Sequence, residues 1–478
     1  MTAGDRAVGA LLGLACGDAV GTTLEFERPG SFAPVSDMVG GGPFRLDPGE
    51  WTDDTSMALC LAESIADTGD LDLVDQLRRY LLWRDEGYLS SNGRLFDIGN
   101  TTRSQLERFR RTGAAVDPDP DEEAAANGSL MRLAPVPIRW HSDLSVAAAR
   151  AGESSRTTHA TGRPVDCCRV LGAMVAALIA GSSREEVLAP EFWRWGDLHP
   201  AVEAVTRGSW RGKEPPDIRG TGYCVASLEA ALWAVAGASD FRDVVLRAAN
   251  LGNDADTTAA VAGQLAGACW GASGIPEPWR RKVVLRDRIE ALARTLFVAG
   301  GGAAEDAMWP HDGLIHAWWV EPGRLLAGEY PGNLDPVRAE QKVHLLVDAG
   351  VRTFVDLTEH GELEPYHPLV ERAAAARRLE LHHVRFAIPD RGVVADERYD
   401  EVLRMITEGQ RRGAVYLHCW GGVGRTGTVI GSVLAAAGAT SDEVFARIST
   451  LRAGTRKERR HCPENARQRA VIERRSRR

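Results

Sequence analysis

Apolar residues recur at helical spacing through most of the first 298 positions. Segments 55–66, 72–84, 163–180, 226–236, 255–269 and 282–297 set Ala and Leu against Glu and Arg with a helical period, with Gly and Pro between them and no long β-branched alternation. This pattern predicts an all-α domain over residues 1–298. At its start Val8, Leu11, Leu12 and Ala15 recur at i, i+3, i+4 and i+7, which predicts an amphipathic helix with one face in the core. After the small residues AGGGAAE at 299–305 the pattern changes. TFVDL (353–357), LHHVRFAI (381–388) and AVYLHC (414–419) read as short strands, and helical stretches at 335–349, 366–378, 396–412, 426–437 and 441–451 lie between and after them. Their alternation predicts a second, α/β domain over residues 313–478 with a mostly parallel sheet, joined to the first by a linker at 299–312. No tandem repeat of solenoid period is present.

The length of 478 residues agrees with more than one domain, being about three times the ~150 residues typical of one. With 44% hydrophobic and 26% charged residues the composition is that of a globular protein. Charge sharpens the division. Residues 1–300 carry 31 basic and 41 acidic side chains, whereas residues 452–478 alone carry 11 basic and 3 acidic ones. Neither half has the basic balance of a nucleic-acid binder, so no nucleic-acid partner is expected. The basic tail reads as a solvated helix face in preference to an electrostatic aid for anionic substrates. Eight scattered cysteines without a CxxC pair indicate neither a disulfide scaffold nor a structural zinc site and fit a reducing cytoplasm. No apolar run reaches the ~18 residues of a membrane-spanning helix, so no membrane association is expected.

Two acidic clusters stand out. Thr52-Asp53-Asp54 and Asp254-Ala255-Asp256-Thr257 each precede a helical run. Asp and Thr there serve as helix caps, or, if the two clusters meet, as hard oxygen ligands for Mg²⁺ or Mn²⁺, in number enough for two ions. The series GLACGDAVGTTLEF (13–26), WTDDTSM (51–57), FDIGNTTR (96–103), NGSLMRLAPV (127–136), TTHAT (157–161), GYCVASLEAALWA (222–234) and NLGNDADTTAAVAGQLAGA (250–268) resembles the ADP-ribosylglycohydrolase family. The resemblance implies an all-α fold, a two-magnesium centre and hydrolysis of the bond between ADP-ribose and a modified side chain. It assigns Thr52, Asp53, Asp54, Asp254, Asp256 and Thr257 as metal ligands and Glu25 as the acid/base. Asp97 falls at the substrate ribose or the metal water, and Asn127, Gly128, Ser129 and His159 become substrate-binding candidates, the turn at 127–129 offering backbone N–H groups to pyrophosphate. Where relatives usually read Gly-Gly-Asp-Ala-Asp, this chain has Asn253 in place of the second glycine, and Asn tolerates left-handed backbone geometry.

The second constellation is His418-Cys419-Trp420-Gly421-Gly422-Val423-Gly424-Arg425-Thr426-Gly427, after a strand and at the head of a helix. Such a loop turns backbone N–H groups toward an anion and favours a thiolate. Cys419 reads as a nucleophile toward phosphorus and Arg425 as the ligand of two phosphoryl oxygens. Gly421, Gly422 and Gly424 permit the concave path, and Thr426 is placed to hydrogen-bond the sulfur. The motif resembles the signature of cysteine-dependent tyrosine and dual-specificity phosphatases. That resemblance implies a general acid at Asp390, 29 residues before Cys419, and a water-positioning glutamine at Gln468.

Together these readings predict a bifunctional hydrolase: removal of ADP-ribose from side chains, arginine-linked in the first instance, and phosphomonoester hydrolysis through phosphocysteine. The expected substrates are an ADP-ribosylated protein or small ADP-ribose conjugate and a phosphorylated protein or small phosphomonoester. Two alternatives stand beside this: one domain directs the other as a binding module, or both act in sequence on a phosphorylated ADP-ribose derivative.

Overall fold

Gly9, Gly13, Gly17 and Gly21 repeat every four residues along the first helix, Ala3–Gly21, and so line one face of it. Against that face lies helix Ala255–Trp270. A Cβ on any of the four would collide with the facing backbone, at Gly267, Gly263, Ala259 and Ala255 in turn. The two helices therefore meet backbone to backbone, with their crossing fixed by the absence of side chains. The computed structural model describes residues 1–302, 309, 311–377 and 379–477. They form two compact units, Met1–Asp306 and Ala307–Arg478. Half of the expected linker at 299–312, residues 303–308 and 310, lies outside the described set.

In the first unit the glycine-faced pair forms the centre, packed against helices Asp53–Thr68, Gly162–Ala180, Phe241–Ala249 and Arg286–Ala299. The unit is helical, as the periodicity predicts. The first helix corrects one expectation: it is not amphipathic but buried on all sides from Ala7 to Gly21. The predicted apolar stripe marks one contact face, and the glycines, invisible to a hydrophobicity pattern, make the other. Together with the short turn Thr22–Leu24 it forms the one described helical stretch long and apolar enough to cross a membrane, and 94% of that window is buried in the core. Substituting Ala at Gly17 gains about 1 kcal/mol in helix propensity. It also forces the pair apart, an overpacking cost of about 1–3 kcal/mol. Thermal unfolding of Gly17→Ala is expected to begin at a lower temperature than wild type; an unchanged midpoint would show that the joint gives.

The second unit is a five-stranded sheet in the order β1-β2-β5-β3-β4, comprising β1 (Ala317–Glu321), β2 (Leu325–Gly328), β3 (Val351–Asp356), β4 (His382–Arg385) and β5 (Ala414–His418). β1 and β2 pair antiparallel, and the other three neighbouring pairs are parallel. The sequence pattern marked β3, β4 and β5 but not the edge hairpin, because AWWVE and LLAG are short apolar runs that show no alternation. The tail corrects a further expectation. Helix Ala466–Arg475 buries Val471 and Ile472 in the core against helix Gly424–Ala436, and Arg452 is only 2% exposed. The residues from 452 onward are thus structural in part rather than one solvated face; their charge hid an apolar stripe of two residues.

Candidate active sites

The glycine joint brings the two acidic clusters together. Near the end of the first helix Asp18 is fully buried, and its carboxylate accepts four hydrogen bonds: from Thr52 N and Oγ1, both at 2.9 Å, and from Thr55 N and Oγ1 at 3.1 and 2.6 Å. Asp18 thereby pins the N-terminus of helix Asp53–Thr68. Sequence reading missed it, although a carboxylate inside GLACGDAVG is itself a signal that something polar awaits it. From the other side, Thr52 Oγ1 lies 3.2 Å from Asp256 Oδ2, and Thr257 Oγ1 donates to Asp54 Oδ1 at 3.3 Å. Clusters some 200 residues apart thus interlock.

Glu25 follows the turn Thr22–Leu24, and its carboxylate accepts from Ala255 N at 3.0 Å and Asp256 N at 3.4 Å, capping helix Ala255–Trp270. One oxygen each of Glu25, Asp254 and Asp256 lies within 4.8 Å of the others. Asn127 Nδ2 donates to Asp254 Oδ2 and to Ser227 Oγ. Asn253 takes φ = 56°, the left-handed geometry expected of it, and its N–H and carbonyl pair with Glu27 O and Phe26 N, both at 2.7 Å. Asp97 also sits at positive φ, 55°. Phe96 beside it packs on Phe44, which packs on the exposed Phe26, an aromatic trio that the sequence pattern did not mark.

Burial first, and repulsion by neighbouring carboxylates second, push Asp53 and Asp54 well above the ordinary range and Asp97 to about 6, while burial raises Asp256 to about 8 against the pull of its hydrogen bond with Glu25. Asp18 and Asp254 are also raised by burial, while their hydrogen bonds pull the other way. Glu25 is raised by burial and by Asp256. None of the seven makes an ion pair with a described residue, and Asp54 Oδ2 is buried with no hydrogen-bond partner. Hard oxygen donors crowded together, unneutralised and with one left orphaned, fit divalent cations.

The turn at 127–129 is buried. Asn127 O accepts from Leu130 N and Met131 N at 2.8 and 3.1 Å, and the Ser129 hydroxyl turns inward to Ser155 Oγ at 2.8 Å and Cys168 Sγ at 3.4 Å. His159, 2% exposed, packs its ring against Gly128 and contacts Thr158 Oγ1 through Nδ1 at 2.8 Å. Burial, with Arg132 nearby, pushes it down to about 3, so the imidazole is neutral. In this arrangement Ser129 and His159 support the turn from within, and the Asn127 amide faces the acidic cluster.

The second site sits where β5 ends, at the carboxyl edge of the parallel strands, where open α/β sheets bind ligands. Cys419 is 3% exposed at the start of the loop that runs into helix Gly424–Ala436. Gly422 takes φ = 69° and abuts the end of β2, so a Cβ there would strike Gly328. Arg425 is held by Glu362 in a bidentate pair at 2.6 and 2.7 Å, by Ile388 O at 3.1 Å and by Asp390 Oδ1 at 3.2 Å. Asp390 itself is half exposed on the turn Pro389–Gly392. Gln468 is buried beside Gly424, and Thr426 Oγ1 is buried without a partner. Glu362 escaped sequence reading because its only signal is a contact 63 residues away in the chain.

Below the loop lies a buried polar network. His418 Nε2 meets Tyr366 Oη at 2.6 Å, and Asp356 accepts from Thr358 N and Oγ1 and from Arg385 Nη2 at 2.9 Å. Burial alone would raise Asp356; His383, His418 and Thr358 overcome it and hold the carboxyl well below the usual range. Burial pushes His418 down from 6.5 to about 4. A base whose folded pKa lies below its unfolded one stabilises the fold fully above the unfolded value and loses that contribution as pH falls. Acidifying from about pH 6.5 toward 4 is therefore expected to cost the second unit roughly 3 kcal/mol, at 1.36 kcal/mol per pKa unit. Melting curves across that range should show the loss, and His418→Gln should flatten it; equal acid sensitivity in both proteins would place its origin elsewhere.

The geometry defines a two-unit hydrolase, with an acidic oxygen-ligand site in a helical unit and a cysteine–arginine loop on an α/β sheet. The chain belongs to the ADP-ribosylglycohydrolase family, whose model matches residues 1–305, and carries at residues 316–475 a match to the Swiss Army Knife protein, DSP-PTPase phosphatase domain. Over 293 residues it is 47% identical to the ADP-ribosylarginine hydrolase Tri1 of Serratia proteamaculans (strain 568), covering 61% of this chain and 79% of that protein. It is 34% identical over 290 residues to the ADP-ribosyl-dinitrogen reductase glycohydrolase of Rhodospirillum rubrum, covering 59% and 91%. A solved structure described as an ADP-ribosylglycohydrolase-related protein complex aligns with a TM-score of 0.56 at 43% identity, over 62% of this chain and 99% of that one.

Proposed function

We propose that the chain is a bifunctional hydrolase whose first unit releases ADP-ribose from arginine side chains with Mg²⁺, and whose second unit hydrolyses phosphomonoesters through a phosphocysteine. The observation that carries the first half is the interlock of Thr52–Asp54 with Asp254–Thr257 around the orphaned Asp54 oxygen. Thr52, Asp53, Asp54, Asp254, Asp256 and Thr257 would hold two ions. Bound there, the metal supplies orientation of the ribose hydroxyls and activation of water. Asp18 keeps the ligand turn in place, Asn127 orients Asp254, and Glu25 moves the proton between water and the departing guanidine nitrogen. Arginine is favoured because the 47% identical relative is named for that linkage.

In the second unit Cys419 Sγ attacks phosphorus, the P–O ester bond breaks, and Asp390 gives its proton to the leaving oxygen. Water, oriented by Gln468, then attacks phosphorus; the P–S bond breaks and Asp390 recovers a proton. Arg425 binds two phosphoryl oxygens, and its pairing with Glu362 sets the plane of the guanidinium before substrate arrives. The deciding measurement is a product-resolved assay of the full chain, with and without Mg²⁺, on peptides ADP-ribosylated at arginine or serine and on para-nitrophenyl phosphate. Arginine-selective, Mg²⁺-dependent ADP-ribose release together with Mg²⁺-independent phosphate release is the expected outcome. Serine-selective release would overturn the linkage, and binding of either substrate without turnover would make that unit a recognition module.

A further inference from the structure

The segment 452–463 closes one side of the pocket that holds Cys419. That pocket has a volume of about 620 Å³, within the ~300–1,000 Å³ range of small-molecule sites. The segment is firmly built. The buried Arg452 side chain donates to Lys457 O at 2.5 Å and Arg460 O at 2.8 Å, and Glu458 accepts from Gly454 N at 2.8 Å. Lys457 Nζ crosses to the signature loop, reaching Gly421 O at 2.9 Å and Glu329 Oε2 at 2.7 Å.

These anchors present Arg459 and Arg460 to the pocket, with Arg391 contributed by the Asp390 turn. The other cations of the lining are spoken for: Lys457 by Glu329, and Arg425 by Glu362 and Asp390. Arg391, Arg459 and Arg460 make no ion pair with a described residue, and the lining offers them a single unpaired acid, Glu464. Like charges gathered beside a phosphate site repel one another until an anion joins them. At the rim Trp420, next to the nucleophile, is 63% exposed and offers a flat apolar face.

The geometry points to a second anionic subsite: the phosphatase unit takes a small phosphomonoester that carries a second phosphate, held by Arg459 and Arg460, with a planar ring against Trp420. This rests on the reading of Cys419 as a phosphatase nucleophile. The test measures phosphate release by the full chain from adenosine 5′-monophosphate, adenosine 3′,5′-bisphosphate, para-nitrophenyl phosphate and a phosphotyrosine peptide. The bisphosphate should exceed the monophosphate in kcat/KM by about 10- to 100-fold, the worth of one charge-assisted contact. That ratio should fall toward unity in the Arg459→Ala/Arg460→Ala variant and recover in Arg459→Lys/Arg460→Lys. Hydrolysis of para-nitrophenyl phosphate without a preference for the bisphosphate overturns the subsite alone, as does a phosphotyrosine peptide that outperforms it. No hydrolysis of any of the four overturns the phosphatase reading beneath it.

Discussion

Replacing Asp256 by Ala is expected to end ADP-ribose release while phosphate release continues. Asp256 touches Thr52 and Thr257, one from each cluster, and lies beside Glu25. Its loss removes a proposed ligand shared by the whole site, so the defect should exceed the about 100-fold that an outer-shell partner costs. Chelation should reproduce it. Two further readouts separate a metal defect from misfolding. Without metal the variant should melt no lower than wild type, because one of several mutually repelling buried carboxylates is gone. With Mg²⁺ at about 100 times its Kd, wild type should gain roughly 2.7 kcal/mol, and the variant should not. A variant that still responds to Mg²⁺ and still turns over would remove Asp256 from the ligand set.

Cys419→Ser is the counterpart. Oxygen for sulfur preserves size at a buried position, leaves Arg425 in its clasp with Glu362, and removes the thiolate. Phosphate release should fall by about 10⁴-fold or more, in line with the loss of a covalent nucleophile. The protein should still bind phosphate, observable as a thermal shift, and should release ADP-ribose at the wild-type rate. If either substitution ended both activities, the two sites could not be separate.

How much of this was legible in the chain depends on the range of each contact. Thr52–Asp54, Asp254–Thr257 and the Cys419–Thr426 loop are contiguous motifs at helix starts, so local order and residue type disclose them. Asn253 belongs with them, since its left-handed backbone follows from the residue itself. Asp18, Glu362 and Asp356 meet Thr52, Arg425 and Arg385 at separations of 34, 63 and 29 positions, and no local pattern around them reports those partners. The hairpin β1–β2 at one edge of the sheet escaped because its strands are short and almost wholly buried, so neither shows an alternating face. The tail misled for the opposite reason: eleven basic side chains masked the contribution of Val471 and Ile472 to the core.

The meeting of helices Ala3–Gly21 and Ala255–Trp270 has a consequence for how the sequence can vary. Most helix contacts drift by exchanging one bulky side chain for another, and the axes shift to follow. A contact of backbone on backbone has no such currency, because the smallest available change, one methyl group, already collides with a carbonyl. Substitutions accepted elsewhere in the bundle therefore have little leverage on the spacing of Asp18, Glu25, Asp254 and Asp256. Changes on the outer surface of the unit can accumulate while the distance between these buried carboxylates stays set by the helix pair.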